Sequence, residues 1–491
     1  MSQGDLQRAA LGQSASLGML YDARTDSFLS GFSLLTKAPP VEAVIVTDSH
    51  TSEIQLSFSD TYDEKLRKMD LTAELGASFL CGMINVGGSG RYLQDTRDSD
   101  QTLQASLHYK ITTVHEKLNL THDGLKECLA LNILQSGDAT HVVVGICWGA
   151  QSVVTAKHRL SNRDEKDKVD GCLKAEFLKI KSIIKIEGDA NVEVKTDEQR
   201  RDLSFEVTVY GDVLADDELL PTDFPGAYKF MSNVPRYIRG ANGGKGKQLM
   251  YILAPVASLA RQLDLEMNAD LTIAHLNTDC LQKFVYLFDS LRNATLKLND
   301  YNTEVSKYTF CLPPDHIRLV AQYLQDTKLA EAQLKENYAQ VLKDVRCGKS
   351  DTQELFHLLA DAHENLPSLS DVDVLMGQYR EKISFVEMVI AKGVKYVGHN
   401  GITLDNELMD GRYEDVYVLY FSENARRERT TWEGNQYLLL QLLENAKTKY
   451  KVVVVDCELI GSPMSRAPLR RRSRIGVGLF QMFHTHRVRT Q

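Results

Sequence analysis

Over long stretches of the first half of this chain, apolar and polar residues alternate at every second position. Between Thr102 and Thr113, Leu103, Ala105, Leu107, Tyr109 and Ile111 fall on one face, and Thr102, Gln104, Ser106, His108, Lys110 and Thr112 on the other. The same period runs through Ile184, Ile186, Gly188, Ala190, Val192 and Val194, against Lys185, Glu187, Asp189, Asn191, Glu193 and Lys195. It recurs in Leu203, Phe205, Val207 and Val209. Successive strand side chains point to opposite faces, so the pattern predicts strands with one dry and one wet side. The runs reach about twice the usual five or six residues, which implies long, bent, antiparallel strands.

From about residue 263 the period changes to 3.6. Leu281, Phe284, Val285, Phe288 and Leu291 share a helix face, as do Ile317, Val320, Ala321 and Leu324, continuing through Leu334, Tyr338, Val341 and Val345. A third set is Val372, Leu375, Met376, Tyr379, Ile383, Val386 and Ile390. Helix starts are marked by Pro313-Pro314-Asp315 and by Ser370-Asp371, and a shorter helix is predicted near Thr352 to His363. Beyond residue 393 a buried-type strand, Val416 to Phe421, precedes a helix from about Thr431 to Lys447 and a second strand around Val452 to Val455. Solid apolar runs flanking an amphipathic helix argue for a parallel strand–helix–strand unit, too small to be a domain by itself. The expected organisation is an α+β multidomain chain: a sheet-rich domain over 1–262, a helical bundle over 263–392, a partial α/β unit over 393–460, and a basic tail over 461–491 expected to be disordered.

Composition narrows the function. The formal charge is −9, but Ser465 to Gln491 holds seven Arg, no Lys and no acid, so the other 464 residues carry −16 (−9 less 7). So acidic a body is a poor binder of phosphate backbones, which excludes nucleic acid as the expected partner. The eight cysteines are scattered without a CxxC, so free buried thiols are expected rather than a zinc site or redox pair. Met1 to Tyr21 carries Asp5, Arg8 and other polar residues where a signal peptide needs an apolar run. A soluble chain without a signal peptide is expected, its compartment left open between cytoplasm and secretion by a non-standard route.

Candidate chemistry is thin. Gly348-Lys349-Ser350 has Lys343 where a phosphate-binding loop needs its first glycine, and no Ser or Thr follows Gly243-Gly244-Lys245-Gly246-Lys247. His357 and His363 are six apart and miss a shared helix face; His484 and His486 alone make no closed metal site. There is no GxSxG nucleophile elbow. No enzyme, no cofactor and no metal is expected.

Several spaced motifs carry a family resemblance. They are Leu17-Gly18-Met19-Leu20-Tyr21-Asp22-Ala23-Arg24, Gly31-Phe32-Ser33-Leu34, Leu75-Gly76-Ala77-Ser78-Phe79-Leu80, Val86-Gly87-Gly88-Ser89 and Tyr109-Lys110-Ile111-Thr112-Thr113-Val114. In order and spacing they resemble the stonustoxin family, the stonefish cytolysin subunits and their relatives, over most of residues 11 to 460. Ala139-Thr140-His141-Val142-Val143 is similar to the Gly-Thr-His core of the perforin signature, with Ala139 replacing the glycine, so Thr140 and His141 are its signature residues here.

The resemblance implies a perforin/cholesterol-dependent-cytolysin-like domain with a bent sheet, a bundle resembling focal-adhesion-targeting domains, and a partial thioredoxin-like unit. It implies pore formation: helical clusters beside the sheet unfurl on membranes into amphipathic hairpins, in a homo-oligomer or with a paralogous subunit. The clusters would lie at about Asp60 to Asp100 and His158 to Arg201, with membrane-hairpin positions Leu71, Leu75, Phe79, Leu107, Tyr109, Ile184, Ile186, Val192 and Phe205. A transmembrane strand alternates apolar with polar residues, and Leu71, Ala73, Leu75, Ala77, Phe79, Cys81 and Met83 do so, interrupted by Leu80. Two departures stand out. Ser422-Glu423-Asn424-Ala425 replaces the thioredoxin CxxC, and the PRY/SPRY domain of the full-length toxins has no counterpart, the Arg-rich segment standing in its place. The missing signal peptide and missing PRY/SPRY domain favour the alternative of a non-lytic interaction or immune protein that binds through its helical bundle, while the long amphipathic strands favour the pore-forming reading.

Overall fold

A computed structural model of the chain describes residues 5–130, 133, 137–161, 165–185, 203–214, 219–262, 273–274, 276–399, 401–422, 429–444, 450–459 and 469–473. The chain divides into two compact units, Met1–Leu296 with Thr327–Ser368, and Lys297–Asp326 with Leu369–Gln491.

The first unit is built on an eight-stranded antiparallel sheet. In chain order its elements are β1 (Leu6–Ala9), β2 (Met19–Asp22), β3 (Ser27–Ser33), β4 (Val44–Ser57), α1 (Tyr62–Lys68), α2 (Ala73–Leu80) and a 3-10 turn at Gly88–Gln94. There follow β5 (Thr102–Leu118), α3 (Asp123–Lys126), β6 (His141–Arg159), α4 (Lys166–Lys185), β7 (Glu206–Gly211), α5 (Phe224–Gly240), β8 (Lys247–Pro255) and α6 (Val256–Gln262). Helices α7 (Thr278–Lys307), α8 (Pro314–Arg346), α9 (Gln353–Asn365) and α10 (Leu369–Ala391) come next; the first unit takes α7 up to Leu296, α8 from Thr327 and α9, and α10 belongs to the second. The starts read from Pro314 and Asp371 and the short helix near Thr352 are all present.

Strand β6 is the spine. It pairs with β5 along most of its 19 residues, with β2 and β8 near its beginning and with β7 near its end, while β4 pairs only with β5. Over the long section the order is therefore β4–β5–β6–β7. Register shows why the alternation matters. Leu56, Leu107, Val154 and Val209 stand in one row across the four strands, and Ser57, Ser106, Thr155 and Thr208 in the next. The apolar row packs against Val169, Leu173, Phe177 and Ile180 of α4 and Ala227, Phe230, Met231 and Val234 of α5.

The polar row departs from expectation. The face of Gln104, Ser106 and His108 is not wet: these residues are 7%, 2% and 3% exposed, roofed by the segment of α1, α2 and the 3-10 turn. A polar face tolerates such cover when its groups bond one another. Here Tyr92 Oη lies 3.1 Å from Ser106 Oγ, itself 3.1 Å from His108 Nε2, and Gln104 Nε2 donates to Asp95 at 3.3 Å. Lys110, expected on a wet face, is half-buried and paired with Asp70.

Register shifts interrupt the pairing of β6 with β5 and with β8, the local irregularity at which strands commonly bend. Backbones converge there: a Cβ on Gly149 would stand 1.9 Å from the Ile111 carbonyl oxygen, and one on Gly246 2.1 Å from that of Gly149. Only residues without a side chain fit a bulge this close.

In the second unit, β9 (Lys395–Val397), α11 (Leu404–Leu408), β10 (Asp415–Phe421), α12 (Arg429–Glu444), β11 (Tyr450–Asp456) and β12 (Leu469–Ser473) form a four-stranded sheet ordered β12-β10-β11-β9. β10 and β11 are parallel and joined through α12, as the apolar runs predicted, and β9 adds a further parallel pair. The tail read as lacking structure contributes β12, antiparallel to β10. An Arg-rich run shows no core periodicity because a strand at a sheet edge needs none. Inside this unit Lys382 of α10 lies fully buried 2.7 Å from Asp456, which also accepts the Tyr396 hydroxyl at 2.5 Å.

This irregularity makes a specific prediction. Gly149→Ala is expected to destabilise the chain by about 1–3 kcal/mol through overpacking. Gly171→Ala in α4, where an added Cβ meets nothing within 4 Å, is expected to be neutral or stabilising. Urea unfolding midpoints of the two variants decide.

Candidate functional site

The candidate site is the pair of helical segments interposed between the long strands. The first, residues 58–101, connects β4 to β5; the second, residues 160–205, connects β6 to β7. Each is thus the loop of an antiparallel hairpin, β4–β5 or β6–β7.

In the first segment two threonines start helices. Thr61 Oγ1 accepts the Glu64 N–H and Thr72 Oγ1 the Leu75 N–H, satisfying donors that a helix leaves free at its N-terminus. Leu71, Leu75 and Phe79 are brought together, packed with Leu281, Phe284, Val285 and Phe288 of α7. Leu80, the residue that breaks the two-residue alternation, is buried in that same core. In this state the segment therefore uses helical spacing, and its strand-like alternation is unused.

Charged groups fasten the segment on two sides. Toward the sheet, Lys157 pairs with Asp95; within the segment, the Lys65 ammonium donates to the Asp95 carbonyl. Toward the helices, Asp289 of α7 accepts the Tyr62 N–H at 2.8 Å and the Asp63 N–H at 3.5 Å, capping α1. One turn on, Arg292 donates to the Asp60 carbonyl at 2.5 Å and to its carboxylate, and stands 5.1 Å over the Tyr62 ring. Asp60 also takes Lys65 at 2.8 Å and Arg97 at 3.0 Å. Burial pulls the Lys65 ammonium below its usual range although Asp60 supports it.

A second buried cluster centres on Asp26. Its carboxylate accepts Arg8 Nε at 3.0 Å, the Tyr21 hydroxyl at 2.6 Å and the Ser78 hydroxyl, and pairs with Arg346 at 2.9 Å. Arg346, the last residue of α8, also donates to Ser78 Oγ at 2.9 Å and to the Glu74 carbonyl at 3.0 Å. Burial opposes ionisation of Asp26, but Arg346 and Arg8 outweigh it and hold the carboxyl below its ordinary range. Sequence reading missed this cluster. Its members lie up to 338 residues apart (8 to 346), and no local pattern links them.

In the second segment, α4 buries Val169, Leu173, Phe177 and Ile180. Leu107 and Tyr109 of β5 sit in the same apolar core, with Ile184 and Phe205 at its margin. Ile184 lies on α4 rather than on a strand, and Ile186 and Val192 lie outside the described residues. Thr140 and His141 belong elsewhere, at the start of β6. Thr140 Oγ1 accepts the Ala23 N–H at 2.8 Å and donates to the Tyr21 carbonyl at 3.2 Å, while His141 Nδ1 lies 2.9 Å from Thr140 Oγ1. The signature pair therefore stitches β2 to β6. Among the described residues no helix is long and apolar enough to cross a membrane.

Two histidines give the site a pH signature. Burial lowers His108 to about 3, with Lys68 adding to it, and lowers His141 to about 4, with Arg8 adding to it. Both stay neutral in the fold, whereas the unfolded chain takes up protons below about pH 6.5. The unfolded state then binds more protons, so stability falls as pH drops from about 6.5 toward these values, by up to about 1.4 kcal/mol per unit per histidine. His108→Gln is expected to flatten that slope relative to the unsubstituted chain in urea titrations between pH 7 and 4.5. Asp26→Asn, which leaves two buried guanidiniums facing a neutral amide, is expected to cost about 3–5 kcal/mol.

Comparison with known proteins places this geometry. Residues 5–281 match the family described as "SNTX, MACPF/CDC-like domain", and residues 388–476 match a domain of unknown function, DUF7656. The chain is 28% identical over 429 residues to stonustoxin subunit alpha of Synanceia horrida, covering 86% of this chain and 59% of that subunit. To neoverrucotoxin subunit beta of Synanceia verrucosa it is 27% identical over 437 residues, 88% of this chain and 60% of that one. It thus spans less than two thirds of the length of these relatives. The solved "Stonustoxin structure" shares the fold, with a TM-score of 0.60 at 19% identity over 96% of this chain and 68% of that one. With the first match spanning more than half of its length, the chain belongs to the stonustoxin family and carries that family's MACPF/CDC-like domain.

Proposed function

We propose that this chain is a pore-forming cytolysin-like protein that assembles on membranes and inserts its two helical segments as amphipathic β-hairpins. One observation carries the reading: each segment is the connection of an antiparallel hairpin in a continuous four-strand order, β4–β5–β6–β7. Straightening either segment lengthens strands already in register and changes no connection. A membrane-spanning strand must satisfy every backbone group by pairing, and a hairpin growing from a sheet does so as it forms. The alternation from Leu71 to Phe79 suits one lipid-facing strand; about nine to eleven residues span a bilayer.

Assembly is proposed to run through the outer strands. Among the described residues β4, 14 residues long, pairs on one side alone, with Ile45 and Val46 about half exposed, and such an edge is a template for another strand. The occurrence of relatives as alpha and beta subunits supports a paralogous partner, with lipid as the other. No catalytic step is part of this reading. The parallel β10–α12–β11 unit, without a CxxC, is proposed to be a structural, thioredoxin-like element, and the α7–α10 region to correspond to the focal-adhesion-targeting-like bundle.

Dye release from liposomes tests the proposal, with the chain alone and with a paralogue from the same source. Release accompanied by rings or arcs on the membranes is expected. Leu71→Asp, at a half-buried position, should fold yet lose about tenfold or more in release, because a charge then faces lipid. Leu107 is fully buried in this state, so an acid there reports on folding rather than on insertion. Intact liposomes under both conditions would overturn the reading.

A further inference from the structure

We infer that α7 and α8 form a catch that holds the first helical segment shut, through Asp289 and Arg292 on α1 and Arg346 on α2. The inference rests on the proposed release of that segment from the sheet. Its basis is where the bonds are made. Asp289 takes N–H groups at the N-terminus of α1, and Arg346 takes the Glu74 carbonyl and Ser78 hydroxyl within α2. Arg292 closes on Asp60, the residue that precedes the helix cap Thr61. Each helix is thus gripped from the α7–α8 side by a charged group buried or nearly so, Arg346 at 2% exposure, Asp289 at 8% and Arg292 at 9%.

Two further features make this a catch rather than ordinary packing. First, it is divisible. Arg8, Asp26 and Arg346 lie outside the segment and can remain paired with one another when Glu74 and Ser78 leave. At Asp26, withdrawal of the segment therefore strands no lone charge, and a buried lone charge is the costly outcome; Arg292 and Lys157, in contrast, lose Asp60 and Asp95. Second, the two segments are held differently. The buried face of α4 is a stripe of Val169, Leu173, Phe177 and Ile180, secured by non-directional apolar contact. The first segment shares an apolar core with α7 and α8 and adds to it directed, charge-assisted bonds that vanish after a small displacement. A shift of α7 or α8 would thus free the first segment while leaving the second in place.

Hydrogen exchange of the full chain, read by mass spectrometry alongside dye release, tests this. In Arg346→Gln, and separately in Asp289→Ala with Arg292→Gln, peptides covering residues 60–81 are expected to exchange at least about tenfold faster, an opening shift of about 1.4 kcal/mol. Peptides from 102–118, 141–159 and 166–185 should keep their original rates. Arg346→Lys, which keeps the charge beside Asp26 and loses the forked contact, is expected to fall between. Exchange that is unchanged at 60–81, or accelerated equally in all four regions, overturns the catch. The exchange readout needs no lysis. An unsubstituted chain that leaves liposomes intact overturns the pore reading, and the exchange pattern still decides whether the catch exists.

Discussion

A sheet that buries its polar face needs partners for the side chains there, and much of the first unit can be traced to how far this is met. Ser106, His108 Nε2 and Gln104 Nε2 are bonded, whereas Thr155 Oγ1, Gln104 Oε1 and His108 Nδ1 are buried with no hydrogen-bond partner among the described residues. Ser57, Ser106, Thr155 and Thr208 stand in a row that would ordinarily face water. Covering that row with purely apolar helices would leave hydroxyls, an imidazole and an amide without bonds, at about 1–3 kcal/mol each. The cover is accordingly amphipathic in an unusual way. It presents Tyr92 and Asp95 inward toward the sheet and Leu75, Ala77 and Leu80 toward α7. Its remaining charges then need partners on the far side, which the ion pairs around Asp60 and Asp26 supply.

The two faces of the sheet consequently do different work. On the apolar side, burial of Leu107, Val154 and Val209 under α4 and α5 stabilises without geometric precision. On the polar side, angle and distance matter, and displacement of a partner is felt at once. An element that must hold firmly in one condition and leave in another is better secured by the second kind of contact than by the first.

The sequence made the framework legible where a local period existed. The strands β5 and β7, the starts of α8 and α10, the short helix α9 and the parallel β10–β11 pair all follow from spacing that any window of a dozen residues contains. Alternation reports that two faces differ; it does not report what covers them. Gln104, Ser106 and His108 therefore read as solvent-facing when they are roofed. The segment around Leu75 carries both periods at once, and the folded state follows the helical one because Leu80 completes it. Arg8, Asp26 and Arg346 were invisible for another reason: a buried ion pair is made by tertiary neighbours, and a lone Arg at the end of a helix reads as an ordinary capping charge.

Strand β12 has a consequence for handling the protein. It covers residues 415–419 of β10, whose Val416, Val418 and Leu419 are almost wholly buried. A chain shortened to end near residue 460 would bare a ladder of unpaired N–H and C=O groups beside that apolar strand, the arrangement from which edge-to-edge aggregation starts.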